Sequence, residues 1–148
     1  MNSKYAYIRY IKSINSGDLA TTGEAVQLEY NIIEGRSRLV SIAEFERLKR
    51  DFPDCIEGNI VKQEDLLYVI GLCYDEIKST ARMIAEDDKL IGDKFKTFED
   101  AYTDTVLCKR TGELKDFQVE DLANKYYVLQ DKIQRAEDKV FQKVNIQK

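Results

Sequence analysis

The sequence contains no histidine. Without an imidazole, the chain cannot use a Ser-His-Asp or Cys-His catalytic arrangement, histidine acid–base chemistry or a histidine-containing zinc site. A nucleophile paired with lysine, or a pair of carboxylates, stays open in principle. However, no Ser, Lys, Asp or Glu is marked out from its neighbours by the pattern around it. We therefore predict that the protein is not an enzyme.

Glycine and cysteine are also few. The seven glycines are isolated from one another, so none builds the G-x-G-x-x-G turn or the Gly-Lys-Ser/Thr loop that holds a nucleotide phosphate. The three cysteines form no C-x-x-C pair, which favours structural thiols in a reducing compartment: Cys55, Cys73 and Cys108. Segment 87–93 has the glycine of a calcium loop, but Lys89 and Ile91 stand where oxygen ligands are required. We expect no cofactor and no metal.

Long apolar runs are missing as well. No run of about eighteen uncharged apolar residues occurs, and Arg9 and Lys12 interrupt the N-terminal apolar stretch, so we predict neither a membrane-spanning helix nor a signal peptide. A content of 43% apolar and 34% charged residues with one proline is typical of an ordered domain. We predict a single cytoplasmic domain over 1–148, mainly β in 1–42 and mainly α in 43–148.

The charge is unevenly distributed along the chain. Residues 63–104 carry five basic and eleven acidic side chains, whereas 1–62 carry nine of each and 105–148 carry nine basic and seven acidic. A protein that binds a nucleic-acid duplex normally has a basic surplus, which displaces counterions from the phosphates. The net charge of −4 therefore argues against direct nucleic-acid binding.

The acidic residues concentrate around one connection between predicted helices. Six of them form a candidate partner-binding surface: Asp87, Asp88, Asp93, Glu99, Asp100 and Asp104. Such a cluster can attract a basic groove of another protein by electrostatic steering. The alternative is a solvated helix end, because three nearby lysines dilute the field: Lys89, Lys94 and Lys96.

The first forty residues favour β structure. Residues 24–33 alternate apolar and polar side chains, which is the pattern of a strand with one buried face, and Gly35 with its polar neighbours suits a turn into a returning strand at Leu39 and Val40. Segment 5–14 fits a strand or one helix face, and we predict the strand. A polar loop is expected over 15–23.

Helical patterns dominate the rest of the chain. Ser41 and Glu44 form a capping box that starts a helix, and Pro53 stops it. After a loop around Gly58, a core helix is expected from Leu66 to about Asp87. A further helix is predicted from about 97 to 110, with a face that extends back towards Ile91. Together these patterns predict an α+β fold: a small N-terminal antiparallel sheet followed by a helical bundle or hairpin.

The last predicted helix has the strongest periodicity. Its apolar residues are spaced alternately by three and four, as in a heptad seam: Val119, Leu122, Tyr126, Leu129, Ile133, Ala136 and Val140. Such a seam lines either an internal helix packing or a dimer interface. Four of these residues are the candidate oligomer seam: Tyr126, Leu129, Ile133 and Val140.

Two arginines near the predicted turn, Arg36 and Arg38, are candidates for anion binding, because a guanidinium forms bidentate contacts with phosphate or carboxylate. The first functional hypothesis is nevertheless a non-enzymatic module that binds another protein as an inhibitor, adaptor or regulator. The alternatives are a protein that binds a small anionic ligand at an oligomer interface, and a structural assembly subunit. The Lys-, Asp-, Ile- and Tyr-rich composition would suit an accessory protein of a phage or mobile element.

Overall fold

A computed structural model describes residues 1–12 and 34–146, with their side chains as far as Glu137. Over these residues an antiparallel sheet and α-helices confirm the predicted α+β class. The elements, in chain order, are β1 (Asn2–Tyr10), β2 (Ser37–Ser41), α1 (Ile42–Asp51), β3 (Ile56–Lys62), a short 3₁₀ turn (Gln63–Asp65), α2 (Leu66–Asp87), α3 (Lys89–Thr111) and α4 (Asp116–Ile146). The chain divides into two compact units, residues 1–62 with 137–148 and residues 63–136. The single domain stays a prediction.

Strand β1 forms the middle of the described sheet and is antiparallel to both β2 and β3. Its side chains alternate, so that Ala6, Ile8 and Tyr10 are buried while Arg9 is exposed. This alternation is what a strand with one face against a core requires. The strand predicted to begin at Tyr5 is therefore confirmed over 5–10, where β1 ends.

Strand β2 follows a turn at Gly35, whose φ of +90° is a conformation that glycine adopts without steric cost. The Gly35 N–H donates to the carbonyl oxygen of Tyr10 (2.7 Å), so this turn lies beside the end of β1. The predicted returning strand at Leu39 and Val40 is confirmed, and in the described sheet it pairs with β1. The strand predicted over 24–33 and the loop over 15–23 lie outside the described residues.

Helix α1 begins where its sequence predicts. The Ser41 side chain accepts a hydrogen bond from the Glu44 backbone N–H (3.1 Å), which satisfies one of the amide groups that the first helical turn leaves without a partner. Phe45 and Leu48 are buried and pack in one cluster with the apolar residues of β1. The helix ends at Asp51, and Phe52 joins the same core just before Pro53.

The predicted loop around Gly58 is wrong, because these residues form β3. Gly58 lies opposite Ile8, and a Cβ atom at this position would lie 2.5 Å from the carbonyl oxygen of Tyr7. No side chain fits at that distance, so glycine is what lets β3 approach β1 closely enough to pair. The glycine that suggested a loop is therefore a requirement of the strand.

The 63–136 unit contains α2, α3 and most of α4. Helix α2 spans the predicted core helix and ends at Asp87 as predicted. The predicted start of the next helix, near 97, is wrong: α3 begins at Lys89, directly after Asp88. The Asp88 carboxylate accepts from the Ile91 backbone N–H (3.1 Å), so a single capping residue separates the two helices. Ile91 is buried and belongs to the α3 core face.

An aromatic core lies inside this unit. Phe98 is fully buried, and its ring centroid lies 4.8 Å from that of Tyr74 on α2 and 5.3 Å from that of Tyr126 on α4. The Phe98 and Tyr74 rings meet edge to face, which is a favoured arrangement of aromatic pairs. Gly71 permits a similar approach, since a Cβ there would lie 2.9 Å from the Tyr102 hydroxyl. At the end of α3, Gly112 adopts a left-handed conformation and turns the chain, as predicted.

Candidate interaction surfaces

Among the described residues, no group of three or more Cys, Asp or Glu side chains is arranged to hold a metal ion. Within the same residues, no helix contains an apolar stretch long enough to span a membrane. The structure gives the positions of the predicted surface residues, except where their side chains lie outside the described residues.

The predicted acidic cluster lies at the end of α2 and along α3. Asp87 is the last residue of α2, and Asp88 is the cap of α3. Asp93, Asp100 and Asp104 are exposed and stand at positions i, i+7 and i+11 of α3, so they share one side of the helix. We call these three residues the acidic stripe. Two turns of helix separate Asp93 from Asp100, a distance of roughly 10 Å along the axis.

Two leucines extend the side of α3 that carries the acidic stripe. Leu90 is 57% exposed near the start of the helix, and Leu107 is 56% exposed near its end. They stand three residues before Asp93 and three residues after Asp104. The stripe therefore joins carboxylates with apolar side chains at both ends. Lys89 and Lys96 are exposed on the same helix and lower the net negative charge around the stripe.

Glu99 does not share this exposed surface. Its carboxylate accepts a hydrogen bond from the Tyr74 hydroxyl (2.8 Å), and Glu99 is half-buried. Burial, followed by this hydrogen bond and the negative charge of Glu99, raises the pKa of Tyr74 well above its usual value of 10. Glu99 therefore contacts the aromatic core of its own chain, a role that no local sequence pattern indicates.

The two candidate anion-binding arginines both lie beside carboxylates of the same chain. Arg36 donates two hydrogen bonds to Glu137, one from each terminal nitrogen, at 2.8 and 2.7 Å. This is the bidentate geometry predicted for an external anion. Arg38 is only 1% exposed, and its Nη1 lies 3.6 Å from Oε1 of Glu44 on α1. Carboxylates of the chain itself thus balance both positive charges.

The part of the α4 heptad seam from Val119 to Ile133 lies in the interior. Tyr126, Leu129 and Ile133 are buried within the single chain, and Tyr126 contacts the ring of Phe98 on α3. Val140 lies in α4, but its side chain is outside the described residues. From Val119 to Ile133, the apolar side chains of this seam are thus covered by the chain's own residues.

A groove between α3 and α4, which we call the α3–α4 groove, was not predicted. It consists of two cavities. One, of about 260 Å³, is lined by Lys94, Thr97, Asn124, Lys125 and Val128. The other, of about 400 Å³, is lined by Ala101, Asp104, Thr105, Phe117, Gln118 and Asp121. Phe117 at the start of α4 is 68% exposed, and this aromatic residue outside the heptad seam was the available sequence signal.

No protein-family model matches the sequence, and no curated protein or solved structure is significantly similar to it.

Proposed function

We propose that the protein is a non-enzymatic module that binds another protein as an inhibitor, adaptor or regulator, with the acidic stripe of α3 as its contact surface. One observation carries the proposal: three exposed carboxylates share one side of a long helix with two exposed leucines. Carboxylates steer the encounter with a basic partner, and apolar side chains supply contact area once the partner is bound.

The partner that suits this surface is a protein segment with basic and apolar residues on the same face. Lysine or arginine side chains would pair with Asp93 and Asp100, and apolar side chains would cover Leu90 and Leu107. A helix is one such segment, since its residues at i, i+3, i+4 and i+7 lie on one face. We also propose that the protein is cytoplasmic, in keeping with the three cysteines that form no C-x-x-C pair.

The experiment compares three forms of the tagged full-length chain in an extract of the source cells. The first is the natural chain, and the second carries Asp93→Asn and Asp100→Asn, which remove two charges from the acidic stripe. The third carries Glu46→Gln and Asp54→Asn, which remove two charges from exposed positions on and just after α1. Circular dichroism checks that all three are folded.

We expect one stoichiometric partner to be retained by the natural chain and by the α1-side control, and lost or strongly reduced with the stripe variant. Higher salt should weaken retention, because the contact is made by exposed charges. Equal retention by all three forms would refute the acidic stripe as the contact surface. A retained small molecule instead of a protein would favour the ligand-binding alternative.

A further inference from the structure

The charges along the α3–α4 groove form a pattern that reads the same from both ends with the signs exchanged. On α3, Lys94 and Asp104 stand five residues either side of Glu99. On α4, Asp121 and Lys125 stand two residues either side of Ala123. Each helix therefore has a positive and a negative side chain at matched distances from a midpoint.

The two midpoints lie at the same level of the groove. One cavity brings Lys94 together with Val128, and the other brings Asp104 together with Phe117. Since α3 and α4 are connected by a short turn and run in opposite directions, residue numbers at one level have a nearly constant sum. The level of Glu99 on α3 is thus the level of Ala123 on α4.

We propose that the α3–α4 groove binds a second copy of this chain in a two-fold symmetric dimer. In a two-fold interface the same surface of both copies must be complementary to itself. A two-fold axis meets that condition if it lies in the interface and runs perpendicular to both helices at this common level. It places Lys94 opposite Asp104 of the second copy, and Asp121 opposite Lys125 of the second copy.

The uncharged residues of the groove fit the same rotation. Phe117, 68% exposed, comes opposite Val128, 40% exposed, so each exposed apolar side chain meets another. Near the middle of α3, Thr97 comes opposite Ala101 of the second copy. These small side chains allow the two α3 helices to approach each other closely.

The charge pattern also excludes the other two-fold arrangement of the same surfaces. An axis parallel to the helices would place Lys94 over the lysine end of α4 and Asp104 over its aspartate end. Like charges would then face each other at both ends of the groove, which opposes association. Within one chain Lys125 and Asp121 form an ion pair. In the proposed dimer the two such pairs would join into one network of four charges.

This dimer goes beyond the proposed binding of another protein and uses a neighbouring surface, with Asp104 on the border of both. Its test uses the purified full chain alone, so that its result does not depend on any partner. Sedimentation equilibrium over a wide range of protein concentration, at low and at high salt, distinguishes the 17.2 kDa monomer from a dimer. We expect a reversible dimer that high salt weakens.

Charge reversal tests the arrangement. Asp104→Lys alone, or Lys94→Asp alone, would place like charges opposite each other. Because of the two-fold symmetry, this repulsive contact occurs twice in each dimer. We expect each to weaken dimerisation by about tenfold or more. The double variant Lys94→Asp/Asp104→Lys restores the opposite charges and should restore the dimer. Glu46→Lys makes the same kind of charge change at an exposed position of α1, outside the groove and the acidic stripe, and is the matched control, expected to dimerise as the natural chain does.

All substituted positions are exposed, and circular dichroism confirms the fold of each variant before it is compared. A natural chain that stays monomeric at every concentration would refute the proposal. The arrangement would also be refuted if both single reversals dimerised as the natural chain does. A double variant that fails to dimerise would refute it likewise. Because the partner experiment uses Asp93 and Asp100, either proposal can fail without the other.

Discussion

The two compact units form their interiors in different ways. In residues 1–62, segments distant in sequence build the sheet: Ile8 lies opposite Arg38 of β2 on one side and opposite Gly58 of β3 on the other. In residues 63–136, side chains that recur every three or four residues meet in an aromatic core around Phe98. The sheet thus depends on close backbone approach between strands that are distant in sequence, whereas the helices depend on ring packing.

The largest expected effect concerns ring packing. Phe98→Ala removes a fully buried ring from the centre of the aromatic core and should lower the free energy of unfolding by about 3–5 kcal/mol. Urea denaturation of the natural and variant chains measures this change. Phe117→Ala is the matched control, since that ring is 68% exposed and its loss should change stability much less. Equal effects of the two substitutions would contradict the description of the core.

The next effect concerns backbone approach in the sheet. Gly58→Ala places a methyl group against the Tyr7 carbonyl, so β1 and β3 must separate locally, at a cost of about 1–3 kcal/mol. The exposed neighbour Asn59→Ala serves as the control and should cost less. Hydrogen exchange of the β1 and β3 amides shows where protection is lost. Unchanged stability and protection in Gly58→Ala would mean that the strands do not approach this closely.

Helix starts should behave alike in both units. Ser41→Ala removes the cap of α1, and Asp88→Ala removes the cap of α3, and each should cost about 1 kcal/mol. Thermal and urea unfolding of both variants measure the loss, with Ser79→Ala at an exposed position inside α2 as the control. Similar losses of stability in the two cap variants would mean that the two units differ in how their interiors pack and not in how their helices start. A cap variant as stable as the control would show that its hydrogen bond contributes nothing.

The smallest effect is a pH dependence of the helical unit. Burial raises the pKa of Tyr74 in the folded chain, so the unfolded chain loses this proton first as the pH rises past 10. The stability that the neutral hydroxyl contributes is complete below pH 10 and declines above it, by at most about 1.4 kcal/mol per pH unit. Just above pH 10 the decline is a fraction of this value.

Tyr74→Phe tests this dependence, because phenylalanine has no proton to lose. The usual tyrosine pKa is about 10, so melting temperatures are measured from pH 9 upward. With rising pH they should fall less steeply in this variant than in the natural chain. Tyr68→Phe removes an exposed hydroxyl and should leave the slope unchanged. Identical slopes for Tyr74→Phe and the natural chain would contradict a raised pKa for Tyr74.

Local signals in the sequence predicted the helices well. The Ser41 capping box, the end of α2 at Asp87 and the turn at Gly112 each depend on residues within one or two helical turns. The α3 start was placed too late because the charged residues and Gly92 that follow Asp88 are typical of a connection, whereas Asp88 alone separates the two helices. Strand β3 was missed because its pairing with β1 is not local, and its burial does not alternate regularly.

For the candidate surfaces too, features set by nearby residues could be predicted and features set by packing between elements could not. Exposure of Asp93, Asp100 and Asp104 could be predicted, since acidic residues on one side of a helix usually face water. The bonding of Glu99 to Tyr74 and the burial of Arg38 beside Glu44 could not, because each depends on which elements pack together. The α3–α4 groove depends likewise on how two helices meet along their length.

Ser41 is both the last residue of β2 and the cap of α1, so no loop residue separates the strand from the helix. The strand therefore sets the rotational phase of α1 about its own axis. A single residue inserted after Ser41 would turn the helix by about 100° relative to the sheet. Phe45 and Leu48 would then leave the core, and charged neighbours would take their places. Length at this junction is thus as constrained as the identity of the buried residues themselves.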